Sequence, residues 1–552
     1  MTTPLLPRRR SAARRELSEA RQDPTSYVVA ALLAVVLLVF VLWPTLGMFI
    51  EPGGDDWSRF LTSDRLRGVT WNTALIVVLS TTTATAIGFV FAYALTRADI
   101  PGMRFFRLIS LLPLVSPPFA LGLALILLFG RSGLITSDLL GMTVDARGLV
   151  GLWVVQTFTF YPVAVLTMVS VLRNQSPAME WAARDLGQGW FGVMRTVTIP
   201  LALPGILGAG LLVAMFVLAD FGNPLIIGGD FRVLAVEAYV QVIGRFNLGL
   251  AAVLAIALLL PALLLFVLQR RFLGRRSYVT VTGKESTLSP IPTPRGVRWA
   301  LVGFMSLVSL FVIVTYASIF AGAVTQVWGV DWSLTFDHLE FVLFRTEDLR
   351  NSAVFAAAAA IFCAFMATTA AYFLHRRPLP GRGLLDALCV LPAALPGTMV
   401  GIAYVITFNT APLVLTGTAA IIVISMVIRS LPVGYRSSVA ALHQVGSSID
   451  EGAADLGAGG LRTYRTVMLP LMKGAFTAAF VFAFVESINT VSAVIFLVSP
   501  GNQLASVTIM GLAEHGYWGE ATAMSAALMI VTFVALGLFR LVTRGRVRLF
   551  EL

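Results

Sequence analysis

Long uncharged apolar runs alternate with short polar segments along the chain, and this pattern predicts twelve membrane-spanning helices. A helix needs about 20 apolar residues to cross a hydrocarbon core about 30 Å thick, and it satisfies its own backbone hydrogen bonds. In the first half of the chain the predicted spans are about 26–50, 71–95, 108–128, 149–172, 201–227 and 248–268. In the second half they are about 299–321, 352–374, 385–408, 413–433, 471–498 and 521–542.

Composition agrees with this pattern. The chain has 552 residues, of which 57% are hydrophobic and 12% charged, and its mean hydropathy is +0.85. A water-soluble globule of this size needs far more polar surface. A β-barrel would need alternating strands of about 10 residues, which the sequence lacks. We therefore predict an all-α integral membrane protein.

The formal charge of +11 comes from basic residues whose positions indicate the membrane topology. Basic residues are concentrated in an N-terminal tail (1–26), in a segment between the two halves (270–298) and at the C-terminus. Loops rich in arginine and lysine stay on the cytoplasmic side of a membrane. The sequence thus predicts a cytoplasmic tail, a cytoplasmic linker and two cytoplasmic termini, with no nucleic-acid partner.

The two halves of the chain are copies of one another. The segment that begins NTALIVV at Asn72 aligns without a gap with the segment that begins NSAVFAA at Asn351. A longer loop near 131–148 in the first half then shifts the alignment, so that Gly187 pairs with Gly457 and Pro200 with Pro470. Because each half has an even number of spans, we expect two tandem six-helix repeats (27–269 and 299–552) in parallel orientation, related by an axis along the membrane normal.

A polar segment interrupts each half at the matching place. Residues 180–200 read EWAARDLGQGWFGVMRTVTIP, and residues 450–470 read DEGAADLGAGGLRTYRTVMLP. Each pattern predicts a short helix, a bend at Gly187 or Gly457, and a second helix that stops at Pro200 or Pro470. Such a segment on the cytoplasmic side could be moved by a partner. The alternative is that each segment is merely an ordered amphipathic loop. The presence of two copies at matching sites argues against this alternative.

These residues resemble the EAA loop of bacterial ABC importer permeases, in which EAA, a glycine four residues on and a terminal proline recur at fixed spacing. The resemblance covers nearly the whole chain in a fused two-half form, with loops at 174–200 and 437–470. In the family this loop docks into an ATP-binding subunit. Trp181 stands at the acidic position of the first copy, and Gly452 at an alanine position of the second. The docking residues that the resemblance implies are Glu180, Ala182, Ala183, Asp185, Gly187, Pro200, Asp450, Glu451, Ala453, Asp455, Gly457 and Pro470.

The resemblance also implies partners and location. It implies two copies of an ATP-binding subunit, which hold ATP and Mg, an external or periplasmic solute-binding protein, and a multi-pass position in the bacterial inner membrane. The chain has no GxxxxGK[ST] phosphate-binding loop, and its one Gly-Lys pair, Gly283 and Lys284, is followed by Glu285. We therefore expect no enzyme activity, catalytic residue, cofactor or metal site in this chain.

The ferric iron importers are the type that the sequence resembles most, because of the stretch DFGNPLIIGG at 220–229. Other substrates remain open, among them thiamine, aminoethylphosphonate or another organophosphate, and a polyamine. A secondary transporter, a channel and a membrane anchor for other subunits are further alternatives, but none of them needs paired docking loops.

Four polar residues interrupt apolar runs and are candidates for the pathway or its gate. Asp220 and Asn223 in the first half, and Glu486 and Asn489 in the second, share the same spacing of an acid and an asparagine. An intramembrane carboxylate is costly and usually faces the interior of a bundle or water. The alternative is that these residues anchor loops or cap helices, and the sequence leaves the two interpretations open.

Overall fold

The structure, a computed structural model, describes residues 24–274, 289–377, 379 and 381–542. The basic tail up to residue 23, linker residues 275–288 and residues 543–552 lie outside the described residues. Within the described ranges nearly every residue belongs to a helix or a connecting loop, and a short hairpin pairs β1 (Thr325–Val327) with β2 (Asp331–Leu334). The predicted all-α class is confirmed.

The helices of the first half are numbered in chain order. They are α1 (Pro24–Ile50), α2 (Gly54–Thr62), α3 (Asp64–Arg97), α4 (Met103–Val115), α5 (Ala120–Phe129), α6 (Leu149–Arg173), α7 (Ala178–Asp185), α8 (Trp190–Ala219), α9 (Gly222–Ile227), α10 (Leu234–Gly244) and α11 (Leu248–Gly274). Single π-helical turns interrupt α1 at Leu38–Leu42 and α8 at Met194–Thr198, and another lies at Leu134–Leu139.

The second half repeats this order. Its helices are α12 (Arg295–Gly322), α13 (Asp337–Phe344), α14 (Thr346–Arg376), α15 (Arg382–Val390), α16 (Gly397–Phe408), α17 (Ala419–His443), α18 (Ser448–Asp455), α19 (Gly460–Leu471), α20 (Lys473–Ile488), α21 (Ala505–Glu514) and α22 (Trp518–Val542). Ten described helices are long and apolar enough to cross a membrane, and two bent pairs raise the number to twelve.

Several predicted spans need correction at their ends. The span predicted at 201–227 stops at Ala219, just before Asp220, and the span predicted at 471–498 stops at Ile488, just before Asn489. The span predicted at 413–433 lies at Ala419–His443 instead. Its start is fixed by the Thr418 hydroxyl, which accepts from the backbone of Ile421.

Two predicted spans are broken at prolines. The span at 385–408 bends by 114° between Ala394 and Gly397, where Pro396 lacks the backbone donor that would continue the helix. The span at 108–128 is interrupted between α4 and α5, where two successive prolines follow Ser116. Hydropathy alone does not distinguish a continuous apolar helix from two apolar helices that meet at a break.

The repeat is visible in matching contacts. The Asn72 side chain donates to the Arg232 carbonyl oxygen over 3.1 Å, and the Asn351 side chain donates to that of Gly501 over 3.2 Å. At the next position of each helix, the Thr73 and Ser352 hydroxyls accept from the first turn of α10 or α21 over 2.9 Å. The same side chains therefore hold the same loop in both halves.

The first helix of each half packs mainly against the other half. α1 lies against α14, α15 and α16, and α12 lies against α4 and α5. The Tyr404 hydroxyl donates to the Phe40 carbonyl oxygen, and the Trp328 indole donates to that of Leu127. The halves that are consecutive in sequence are thus interlocked in space.

The central helix crossing of each half depends on a glycine. A Cβ placed on Gly88 in α3 would overlap the Ala164 Cβ in α6. At the matching crossing the glycine is on the partner helix, because Ala367 in α14 faces Gly434 in α17. Both crossings therefore bring two backbones together, as small residues do between membrane helices.

We expect the substitution Gly88→Ala to destabilise the protein by about 1–3 kcal/mol, because the added methyl group overlaps Ala164. The measurement is the apparent melting temperature of the purified protein in detergent. Gly303→Ala is the matched control, since Gly303 lies on an exposed helix face with no atom within 4 Å of an added Cβ. Equal melting temperatures for the two variants would contradict the packing assignment.

Candidate functional site

The two polar segments form matching loops. The first polar loop (174–200) follows α6 and contains α7, a bend at Gly187 with φ 88°, and the start of α8. The second polar loop (444–470) follows α17 and contains α18, a bend at Gly457 with φ 76°, and α19. The predicted helix, glycine bend and helix are confirmed, although the sequence prediction of 437 for the second start lies inside α17.

The second helix of the first polar loop does not stop at Pro200, contrary to the sequence prediction, whereas that of the second polar loop ends one residue after Pro470. α8 runs from Trp190 through Pro200 to Ala219, and α19 runs through Pro470 to Leu471. A π-helical turn precedes each proline, so the regular backbone ladder is already interrupted where the missing donor would matter. After α19 the chain bends by 77° at Met472, whereas α8 continues as one span.

Arginines at the ends of membrane helices hold both polar loops to the bundle. Arg97, the last residue of α3, donates to the carbonyl oxygens of Leu172 and Gln175 over 2.7 and 2.9 Å. These carbonyls belong to the end of α6 and the turn after it, where a helix leaves acceptors unpaired. Arg97 Nη1 also lies 3.5 Å from Glu180 Oε1, and both side chains are at most 5% exposed.

The second polar loop is held in the same way. Arg376, at the end of α14, donates to the carbonyl oxygens of Leu442 and Val445. Its Nε lies 3.7 Å from Asp450 Oδ2, and Tyr372 donates to Asp450 Oδ1 over 3.0 Å. Glu180 and Asp450, which the sequence suggested as docking residues, therefore face the bundle.

Other candidate docking residues form the exposed face of each polar loop. Ala182, Asp185 and Gly187 are exposed in the first loop, and Glu451, Asp455 and Gly457 in the second, whereas Ala183 is buried and Ala453 half-buried. Sequence reasoning missed the leucine before each bend: Leu186 is 86% exposed and Leu456 is 89% exposed. The repeated Asp-Leu-Gly triplet was the available signal.

The described end of the linker covers part of the first polar loop. The Trp181 indole donates to the Ser289 carbonyl oxygen over 2.8 Å. Ile291 is 5% exposed and packs in a small apolar cluster with Ala183 and Val193, bordered by Trp181. The tryptophan that stands at the acidic position thus anchors the linker, while Glu451 at the matching place is exposed. The two polar loops differ in structure.

Asp220 and Asn223 belong to one buried hydrogen-bonded network. Asp220 follows the end of α8, and its Oδ2 accepts from the side chains of Gln156 and Asn223 over 2.9 and 3.0 Å. Gln156 accepts in turn from Ser80 over 3.1 Å. In the alignment that pairs the two glycine bends, Gln156 corresponds to Met426 and Asp220 to Thr490, so the second half does not repeat this network.

Glu486 and Asn489 are placed differently, so the shared acid and Asn spacing does not mark equivalent positions. Glu486 lies inside α20, 3.7 Å from Arg429 Nη2 in α17. Asn489 donates to the Val115 carbonyl oxygen of the first half over 3.1 Å. Sequence reasoning missed Arg429. A role of these four residues in the pathway stays a prediction.

The chain matches the family described as the binding-protein-dependent transport system inner membrane component over residues 84–278 and 360–551. It is 32% identical over 526 residues to the ferric transport system permease protein FbpB of Actinobacillus pleuropneumoniae, covering 92% of this chain and 77% of that protein. It is 33% identical over 494 residues to the putative ferric transport system permease protein FbpB 1 of Haemophilus influenzae, covering 86% and 78%.

A relative of a different kind matches one half. The molybdenum transport system permease protein ModB of Mycobacterium tuberculosis is 31% identical over 223 residues, which cover 38% of this chain and 81% of that protein. Most of a single permease therefore corresponds to less than half of this chain, which agrees with the duplication.

We expect Arg97→Gln to destabilise the attachment of the first polar loop by about 3–5 kcal/mol, because Glu180 would remain as an unpaired buried charge. Limited proteolysis of the loop and thermal unfolding in detergent measure the effect. The double variant Arg97→Gln/Glu180→Gln should recover part of the loss. Arg67→Gln, which removes an exposed ion pair with Asp64, is the control and should change little. A wild-type cleavage rate in Arg97→Gln would contradict the role of the buried pair.

Proposed function

The chain belongs to the family of binding-protein-dependent transport system inner membrane components, and on that premise we propose that its cargo is ferric iron and that its polar loops receive two ATP-binding subunits. It is the permease of an ABC importer and carries both permease halves in one polypeptide. The observation that supports ferric iron is the likeness to two ferric transport permeases, which extends over both halves.

The proposed orientation follows from charge. The basic tail and linker support a cytoplasmic position of both termini, and Ile291, in that linker, packs on the first polar loop. Near the end of α17 the Arg436 guanidinium stacks on Phe266 of α11, shortly before the linker. Both polar loops therefore lie on the cytoplasmic side in this proposal, and the solute-binding protein docks at the opposite end.

The proposed docking surfaces are the exposed faces of the two polar loops. Leu186 and Leu456 give each loop an apolar tip, and Asp185 and Asp455 lie beside these tips. On the first loop the surface is composite, because the linker residues around Ile291 lie against it. ATP and Mg bind to the partner subunits, which supply the hydrolysis.

The coupling that we propose passes through Arg97 and Arg376 and through α8 and α19. Closure of the ATP-binding subunits would draw the polar loops together. Because Arg97 and Arg376 join each loop to the ends of two membrane helices, the movement reaches the bundle. The permease itself supplies two bundle states, and ATP binding shifts the population between them.

We expect Gly187→Val and Gly457→Val to uncouple the transporter, so that ATP hydrolysis persists and uptake is lost. Space is available for the side chain, but a β-branched residue at positive φ is strained by about 1–3 kcal/mol and would reshape the bend. Uptake and ATP hydrolysis are measured in the same proteoliposomes. Gly189→Ala, with φ −72° and open space, is the control. Coupled transport at the wild-type rate in both valine variants would refute the docking proposal.

The cargo is tested with the complete transporter and its solute-binding protein. We expect ATP-dependent accumulation of radiolabelled ferric iron in proteoliposomes, with no competition from thiamine or aminoethylphosphonate. A variant of the ATP-binding subunit that cannot hydrolyse ATP serves as the control. Accumulation of a competitor in place of iron would overturn the cargo assignment and leave the importer class intact.

A further inference from the structure

An ion pair lies inside the second half and has no counterpart in the first. Arg429 is near the middle of α17, and its Nη2 lies 3.7 Å from Oε1 of Glu486 near the end of α20. In the alignment that pairs Gly187 with Gly457, the first half has Thr159 and Phe216 at these positions. The duplication therefore explains the matching helices but not the Arg429–Glu486 ion pair.

Two helix breaks meet at this pair. α20 ends at Ile488, and α16 begins at Gly397 after the bend of 114°. A Cβ on Gly397 would overlap both Arg429 Nη1 and the Ser492 hydroxyl oxygen, so glycine leaves room for the guanidinium. Asn489 beside it contacts the first half at Val115. Broken helices at the contact between two repeats are where transporters build ligand sites.

The pair keeps unused hydrogen-bonding groups. Arg429 Nε and Nη1 and Glu486 Oε2 are buried and have no hydrogen-bond partner among the described residues. The hydroxyls of Ser425, Ser487 and Thr490 are also buried without a hydrogen-bond partner among the described residues. Ser425 lies one helical turn before Arg429. Such groups are costly inside a membrane protein.

Ligand access distinguishes this pair from the acid network of the first half. Asp220 is only 9% exposed, and its carboxylate accepts from Gln156 and from both the side chain and the backbone of Asn223. The Arg429 and Glu486 side chains keep 20% and 27% exposure, so one side of the pair is accessible. The three unpartnered atoms are themselves covered in this structure, so a ligand that enters from the accessible side reaches them only when this side opens further.

We propose that Arg429 and Glu486 form a binding site within the membrane, in the second half only, for a small oxyanion that is either free or bound to the metal cargo. A planar guanidinium with free donors matches oxyanions. A bare metal cation would lie against the positive charge of Arg429. The free oxygen of Glu486 can accept from a protonated oxyanion or contact the metal that the oxyanion carries. The link to metal cargo rests on the proposed function.

The test measures binding of radiolabelled inorganic phosphate to the purified permease with its ATP-binding subunits, by equilibrium dialysis with and without ferric iron. Wild type should bind saturably in at least one arm. Arg429→Gln should weaken binding about tenfold or more, as expected for loss of charge-assisted hydrogen bonds, and Arg429→Lys should retain part of it. Thr159→Val, the matching position of the first half, is the control and should bind as wild type does.

The two arms identify the source of the oxyanion. Binding without iron indicates a free oxyanion, and binding only with iron indicates a ligand of the metal. Equal binding by wild type and Arg429→Gln, or no binding in either arm, would overturn the proposal. If Arg429→Gln does not reach the membrane, the double variant Arg429→Gln/Glu486→Gln, which leaves no lone buried charge, decides the same question.

Iron uptake separates this proposal from the proposed function. Iron uptake that Arg429→Gln leaves at the wild-type rate would refute a site for the metal-bound oxyanion but not the cargo. Phosphate binding that depends on Arg429, in a transporter that takes up no iron, would refute the cargo but not the site.

Discussion

Both polar loops depend on one kind of interaction, an arginine at the end of a membrane helix that is buried in the first half and half-buried in the second. Arg97 and Arg376 each satisfy carbonyl groups at the end of a neighbouring helix and lie beside an acid on the loop. Arg97 and Glu180 are both shielded from water, so separating them would leave a buried charge uncompensated. The loop and the helix ends are therefore one mechanical unit, which is what an importer driven from outside the membrane requires.

The two halves have the same helix arrangement but differ in their buried polar side chains and in their loop contacts. The matching crossings at Gly88 and Gly434, the matching loop contacts of Asn72 and Asn351, and the exchanged first helices are common to both. The first half encloses a hydrogen-bonded network around the Asp220 carboxylate, and its polar loop contacts the linker. The second half has the Arg429 pair and a bend at Met472. Fusion in one chain allows such divergence because each half always meets the same partner.

Some errors of the sequence prediction have a common origin. The acid and Asn spacing shared by Asp220 and Glu486 is a local likeness, and it fails because Asp220 follows a helix end whereas Glu486 precedes one. Glu180 and Asp450 are docking residues by resemblance alone, and the sequence did not show that both face arginines at the ends of earlier membrane helices. The apolar run at 385–408 gave no sign of its bend beyond Pro396.

The sequence by itself determined the membrane class, the apolar spans, the duplication and the two glycine bends, because hydropathy, repetition and the conformational freedom of glycine are properties of consecutive residues. Only the tertiary structure decided which loop residues are exposed, that the first helices are exchanged, that Trp181 contacts the linker and that Arg429 meets Glu486. Burial and ion pairing depend on which distant helices pack together, and a charge in an apolar run does not reveal its partner until that packing is known.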